Sequence, residues 1–134
     1  MEQLELLTNR KRKNTGRLTR NSKIFKAIIK AIQDKKGENI VSLDLRKVDE
    51  AVANFFVICE VSNPHQVRAI ADNVEDLVKK QTGESPYHHE GKQALQWVLI
   101  DYVNIVVHVM LSERRKFYKL EEMWSDAPLE EHNS

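Results

Sequence analysis

The feature that most constrains the fold is the stretch 94–111, ALQWVLIDYVNIVVHVML, the most apolar part of the chain. Val, Ile, Trp and Tyr dominate it, and these residue types favour a pleated, half-buried surface. The stretch predicts two antiparallel strands joined by a turn centred on Tyr102 and Val103. That turn predicts the pairs Trp97–His108, Leu99–Val106 and Leu95–Met110 on one face, and Val98–Val107 and Ile100–Ile105 on the other.

The two faces of this hairpin differ in chemistry, because successive side chains alternate across a strand. One face is aliphatic, and the other combines an indole, an imidazole and a thioether with a carboxylate at its end. Aromatic residues, Met and Arg are enriched in the cores of protein interfaces. The mixed face and the residues after it are therefore predicted to bind a protein partner, through Trp97, Leu99, Asp101, Val106, His108, Met110, Arg114, Arg115 and Tyr118. The alternative is that the terminal helix, with Phe117 and Trp124, folds back over this face.

Length and composition indicate one globular domain without a membrane span. The chain has 134 residues, of which 41% are hydrophobic and 31% charged, and this is enough for a core without metal or disulfide. No apolar run approaches the ~20 residues needed to cross a bilayer, and the N-terminus does not have the pattern of a secretory signal. Cys59 is the only cysteine, so no intramolecular disulfide forms. We expect a cytoplasmic protein with no membrane partner.

The charge is unevenly distributed along the chain. Residues 1–21 are basic and lack periodicity, so we expect a flexible arm. A contact with phosphates is as open as its alternative, a merely solubilising arm or a wrongly assigned start. Residues 24–118 hold thirteen residues of each sign, which argues against a nucleic-acid surface on the main body. Residues 128–134 read as an acidic, flexible tail. The predicted domain spans residues 22–127.

Periodicity and capping residues predict an α/β domain, or α+β by a strict label. Ser22 and Gly37 bracket an amphipathic helix, and Asn63–Pro64 and Gly83 bracket another, with Gln66 completing a variant capping box. Strands are predicted at 38–45, at 54–61 (buried on both faces) and in the hairpin, with a loop or short edge strand at 86–91 and a final helix capped by Ser112. The result is a mixed sheet of about five strands, with helices packed mainly on one face.

No constellation of residues points to catalysis, a cofactor or a metal. His88, His89 and Glu90 have no metal-ligand spacing. Asp101 and His108 have no accompanying nucleophile or oxyanion loop, and Asp101 is explained equally well as a cap of the turn. A nucleotidyltransferase would need a glycine-serine loop and paired carboxylates that hold magnesium, and neither is present. We therefore expect a protein that is not an enzyme.

Several motifs resemble those of the Iojap family, the bacterial ribosomal silencing factors and their organellar relatives. The resemblance spans about residues 22–127. The matching segments are NFFVI at 54–58 with Ser62 and Gln66–Val67, Glu90–Gly91, WVLIDY at 97–102, VVHV at 106–109, and Arg115 with YKLEEMW at 118–124.

The resemblance implies a nucleotidyltransferase-like sheet without catalytic motifs and a role in translation. Such factors bind the large ribosomal subunit through its ribosomal protein fourteen and sterically block joining of the small subunit when nutrients are short. Trp97, Asp101, His108, Arg115 and Tyr118 occupy the most characteristic positions of the family. A degenerate nucleotidyltransferase-like enzyme and a homodimeric scaffold remain as alternatives, and the chain is expected to be a monomer or a homodimer. With a ribosome as the implied partner, the phosphates that the basic arm would contact weakly are those of ribosomal RNA.

The chain departs from the family pattern at three places. Asn54 stands where the family commonly has Asp, Glu60–Val61 where it has Thr-Gly, and Val103–Asn104 where it has Gly-Asp in the turn. Asn54 and Asn104 each remove a negative charge that a basic ribosomal surface could use. Val103 also disfavours a tight turn, because Val resists the positive φ that such turns prefer.

Overall fold

A computed structural model of the chain describes residues 22–49 and 51–133. The arm predicted for residues 1–21 lies outside the described residues. The helices are α1 (Lys23–Asp34), α2 (Pro64–Thr82), α3 (Ser112–Tyr118) and α4 (Leu120–Met123). The strands are β1 (Glu38–Asp44), β2 (Phe55–Val61), β3 (His88–Glu90), β4 (Trp97–Asp101), β5 (Ile105–Leu111) and β6 (Leu129–Glu131).

The described strands form one mixed sheet in the order β3-β4-β5-β2-β1-β6. β2 and β5 run parallel in the centre, and the other pairs are antiparallel. The two central strands are buried along almost their whole length, since both faces of the sheet are covered. The prediction of a mixed sheet with a central 54–61 strand is confirmed, with six strands rather than five.

Each face of the sheet has its own core. The aliphatic face of the hairpin, with Val98 and Val107, packs beneath α1 and α2. Trp97 and Met110, on the opposite face, pack with residues of the 48–53 connection and of the 118–127 segment. The two faces of one hairpin therefore enter two different cores, as its alternating chemistry predicts.

The ends of α2 confirm the predicted capping. The Asn63 side chain accepts a hydrogen bond from the Gln66 backbone N–H at 3.0 Å and donates one to the Gln66 side chain at 2.9 Å. Pro64 occupies the first turn, and Gly83 ends the helix at φ 79°, a left-handed conformation that glycine adopts without strain.

The predicted register of the hairpin is wrong by two residues. Trp97 pairs with Met110 and Leu99 with His108. The loop is Val103–Asn104, with Val103 at φ 73°. The Asn104 carbonyl accepts hydrogen bonds from the backbone N–H groups of Asn54 (2.8 Å) and Phe55 (3.1 Å), so the neighbouring strand fixes the turn. A slip of two residues leaves each side chain on its predicted face.

The prediction that residues 128–134 form a flexible tail is also wrong for their described part. Residues 129–131 form β6, which pairs with β1. The His132 backbone N–H donates to the Ile40 carbonyl at 2.8 Å, and the His132 ring lies 2.7 Å from the Ser42 hydroxyl. The acidic composition suggested solvation, but the edge of β1 offers backbone partners that composition does not reveal.

The predicted cap at Ser112 is wrong as well. Ser112 is the first residue of α3, Leu111 holds the capping position, and the Ser112 hydroxyl donates to the Val61 carbonyl at 3.3 Å. α1 follows Ser22 as predicted and ends before Gly37. Gly37 packs so closely on Ile32 that a Cβ there would overlap the Ile32 side chain.

Candidate functional site

The mixed face of the hairpin is covered by the chain's own C-terminal segment. Val106, His108 and Met110 are fully buried, Leu99 is 2% exposed and Trp97 6% exposed. Leu120 and Trp124 pack over this face together with residues 51–53. The buried strip therefore offers a partner almost no surface for the predicted contact. The alternative, a terminal helix folded back over this face, is right for Trp124, which covers the strip, but not for Phe117, which is 74% exposed.

A column of aromatic rings runs through this covered face to the surface. Phe56 contacts Trp124 and His108, with ring centroids 4.9 Å and 4.7 Å apart. The Trp97 ring lies 5.8 Å from that of His108 and 5.1 Å from that of Tyr118. Tyr118 in turn contacts Phe117 edge-on at 5.0 Å. The column thus connects a buried imidazole to a ring that is 74% exposed.

His108 is a neutral, structural histidine. The Trp97 indole N–H donates to His108 Nδ1 at 3.0 Å, which requires the tautomer with its proton on Nε2. That Nε2 is buried without a hydrogen-bond partner among the described residues. Burial lowers the pKa of His108 from 6.5 to about 3, because the protein interior disfavours the charged ring. Such a group is poorly placed to serve as a base near neutral pH.

Asp101 shapes the hairpin turn. It is 3% exposed, and its Oδ1 accepts the Val103 backbone N–H at 2.7 Å. Its carbonyl accepts the Tyr87 backbone N–H at 2.8 Å, which attaches the chain before β3. The structure therefore assigns to Asp101 the capping role that its position at the strand end allows.

Arg115 ties three parts of the fold together from an almost buried position. Its guanidinium lies 2.9 Å from the Glu121 carboxylate and 3.3 Å from the Glu60 carboxylate, and it donates to the Asn39 carbonyl. These contacts connect α4, β2 and the start of β1. Arg115 is 7% exposed, so it offers a partner little surface.

The predicted residues that reach the surface lie on α3. Arg114 is exposed and Tyr118 is half-buried. Phe117, which the alternative prediction placed over the mixed face together with Trp124, is 74% exposed instead. Lys119 separates α3 from α4 at φ 48°, and this left-handed residue interrupts the single terminal helix that would have put both rings on one side.

We call Arg114, Phe117 and Tyr118 the α3 surface. It combines a cation, a large exposed ring and a ring that rests on Trp97. Exposed aromatic side chains with arginine are typical of protein-binding surfaces. The exposure of Phe117 follows from the helix break at Lys119, and no glycine at that position announces the break in the sequence. The only sequence signal for this surface was an aromatic residue close after Arg114 and Arg115.

The part of the chain that the structure describes contains neither a cluster of metal ligands nor a helix that could span a membrane. No group of three His, Cys, Asp or Glu side chains there is arranged to hold a metal ion. His88 pairs with Glu90 and His89 with Glu75, each at 3.0 Å. None of the described helices is both long and apolar enough to cross a membrane.

Comparisons with known proteins agree with this fold. A family model described as "Ribosomal silencing factor during starvation" matches residues 19–134. A ribosomal silencing factor of Halalkalibacterium halodurans is 36% identical over 108 residues, which cover 81% of this chain and 91% of that protein. A mouse protein named for mitochondrial assembly of the ribosomal large subunit is 32% identical over 74 residues, covering 54% of this chain and 32% of that protein.

A solved structure shows the same architecture. A crystal structure of a protein from Chromobacterium violaceum superimposes with a TM-score of 0.71 and 33% sequence identity, and covers 76% of this chain and 83% of that one. The family model spans most of the chain, and the relative from Halalkalibacterium is similar over most of its own length. This chain belongs to the ribosomal silencing factor family.

Proposed function

We propose that this protein binds the large ribosomal subunit through its ribosomal protein fourteen and sterically blocks joining of the small subunit, which represses translation when nutrients are short. Family membership supports a role in ribosome silencing. The mouse relative, whose name concerns assembly of the large subunit, supports that subunit as the partner. We also propose that this protein acts on ribosomes in the cytoplasm.

The observation that carries the proposal is the exposed ring of Phe117 on the aromatic column. This large apolar side chain is 74% exposed. Because its ring already packs on a fixed neighbour, binding should cost it little further conformational entropy. Tyr118 fixes it from below and itself rests on Trp97. Arg114 beside it adds a donor for a polar rim.

The other predicted site residues act through this surface rather than by direct contact. They lie beneath the α3 surface, at the hairpin turn or in the ion pairs that hold the α3–α4 junction. Their role is to position Tyr118 and Phe117. The residues concerned are Trp97, Leu99, Asp101, Val106, His108, Met110 and Arg115.

We also propose that the protein acts without catalysis. The Asp101 carboxylate is engaged by the turn, and the low pKa of His108 keeps its ring neutral. A factor that works by steric occupation needs neither group to exchange protons. Isothermal titration of the protein with magnesium and nucleotides tests this point, and clear micromolar binding would refute it.

The test of the α3 surface is Phe117→Ala with Tyr87→Ala as the matched control. Tyr87 is 66% exposed and lies before β3, away from α3. Purified protein is added to free large subunits, small subunits follow, and sedimentation measures the joined fraction. We expect Phe117→Ala to weaken binding by about 2 kcal/mol, roughly 30-fold in Kd, and Tyr87→Ala to leave silencing unchanged.

Both variants should retain the wild-type urea midpoint, since exposed substitutions usually change stability by within ~0.5 kcal/mol. Titration against isolated ribosomal protein fourteen then tests the partner itself. If Phe117→Ala silences as well as wild type, the α3 surface is not the site. If silencing persists without measurable affinity for ribosomal protein fourteen, the named partner is wrong. Light scattering at several concentrations distinguishes the predicted monomer from the homodimer.

A further inference from the structure

The solvent-facing side of α1 carries a row of lysines. Lys23, Lys26 and Lys30 are exposed, whereas Ile24 and Ile28 on the opposite side are buried. Spacings of three and four residues place the lysines on one face. At ~1.5 Å of rise per residue the row is about 10 Å long. We call these three residues the α1 lysine row.

The overall charge balance of the chain conceals this segregation. Residues 23–36 contain five lysines and a single acid, Asp34. Asp34 contacts Lys30 at 3.3 Å, but the two side chains are 46% and 61% exposed. An exposed pair of this kind is worth only ~0–1 kcal/mol, so an incoming phosphate can replace Asp34.

We propose that the α1 lysine row binds the phosphate backbone of RNA. A nucleic-acid strand carries about one phosphate per 3.4 Å of helix axis, so a row about 10 Å long faces about three phosphates. Lysines suit this contact because they act as mobile point charges. The affinity should therefore depend on the phosphate charges of the backbone and not on the base sequence.

This inference deepens the proposed function, on which it rests for the identification of the RNA as ribosomal RNA of the large subunit. α1 packs on the helix-covered face of the sheet, whereas the α3 surface rests on Trp97 on the other face. The two surfaces therefore do not compete. Together they would provide one protein contact and one RNA contact on the same subunit, which raises avidity.

Glu130 lies across a groove from the row, where it lines the same depression as Lys26 and Lys30. Glu130 belongs to β6 and is an acidic residue beside the lysine row. Its negative charge opposes RNA on this face, so Glu130→Gln should raise the affinity for RNA. A gain in affinity is expected for an anionic ligand bound at the row, whereas a ligand bound elsewhere should not respond to this change.

The experiment measures binding of the full chain to a fluorescein-labelled RNA hairpin by anisotropy at several salt concentrations. Lys23→Gln, Lys26→Gln and Lys30→Gln are combined in one variant. The control combines Lys47→Gln, Lys79→Gln and Lys80→Gln, which removes the same charge at exposed positions on other elements.

We expect the row variant to reduce the slope of log affinity against log salt by about 2 to 3, and the affinity at 0.1 M salt by about 100-fold. The control should leave the slope nearly unchanged. Equal effects of the two variants would overturn the proposal, as would wild-type protein that does not bind the hairpin. Urea melts of both variants should match wild type, because all six lysines are exposed.

Two further arms separate the alternatives. Vesicles of phosphatidylglycerol replace the hairpin, and tighter binding to them with the same dependence on the row would overturn RNA as the ligand. Because the hairpin contains no ribosomal protein, Phe117→Ala should bind it like wild type. Failure of RNA binding therefore leaves the proposed function standing, and failure of silencing by the α3 surface leaves the RNA contact standing.

Discussion

The buried imidazole of His108 makes the stability of this protein depend on pH in a defined window. The ring is fully buried, it accepts the indole N–H of Trp97 on Nδ1, and its centroid lies 4.7 Å from that of Phe56. Burial lowers the pKa of His108 to about 3. Protonation in the folded state would place a charge among apolar side chains and remove the acceptor of Trp97.

The sign of the effect follows from the two pKa values. The unfolded chain binds the His108 proton below pH 6.5, whereas the folded chain binds it only below about 3. The unfolded state therefore holds more protons between these values, and acid favours it. The contribution is fully present above pH 6.5 and is lost as pH falls toward 3. At about 1.36 kcal/mol per pH unit, lowering the pH from about 7.5 to about 5 should cost about 2 kcal/mol.

Urea denaturation of wild type and of His108→Gln at both pH values isolates this contribution. The Gln side chain does not titrate, yet its amide oxygen can accept the Trp97 N–H. The variant should be less stable at both pH values because the smaller side chain fills the site less well. Its loss of stability on acidification should be smaller than that of wild type by about 2 kcal/mol.

Histidine titration by NMR provides an independent measurement on the folded wild type. The His108 ring signals should stay constant down to about pH 4. Equal pH dependence of the two proteins in urea, or a His108 titration above about pH 5 in the folded state, would refute this account of the buried ring.

Two further predictions concern the turn and the buried arginine. Val103→Gly should stabilise the fold by about 1 kcal/mol in urea denaturation. The backbone at φ 73° strains a β-branched residue by ~1–3 kcal/mol, and relief of this strain exceeds the extra conformational entropy that glycine loses on folding. An unchanged or lower urea midpoint would contradict this. Arg115→Leu should cost about 3 kcal/mol by leaving Glu60 and Glu121 without their partner, whereas Lys30→Leu should cost under ~0.5 kcal/mol; equal costs would show that the Arg115 contacts add no stability.

The elements and faces of the fold were predictable because they depend on local rules. The Asn63 cap, the apolar stripe of α2 and the glycine at its end are signals contained within a few residues. The split of the hairpin into an aliphatic and a mixed face depends only on a period of two. That split survived an error in the register, because a slip of two residues returns each side chain to its own face.

The register itself depends on a contact far along the chain. The Asn104 carbonyl accepts N–H groups from the start of β2, about fifty residues earlier. Such a contact outweighs the reluctance of Val103 to adopt a positive φ, and it has no signal in the sequence around the turn. β6 is a similar case, since its acidic residues are held by the open edge of β1.

The sequence alone indicated the family, the order of elements as far as α3, and which side of the hairpin is chemically mixed. Only the tertiary structure decided that this side is buried and that Phe117 on α3 is the exposed ring. It also showed that three lysines of α1 share one exposed face, with Asp34 and Glu130 beside them. The physical reason is that burial and the grouping of charges depend on which segments meet across the sheet. The left-handed residue Lys119 turns the chain between α3 and α4, so that Leu120 and Trp124 cover the mixed face while Phe117 stays exposed.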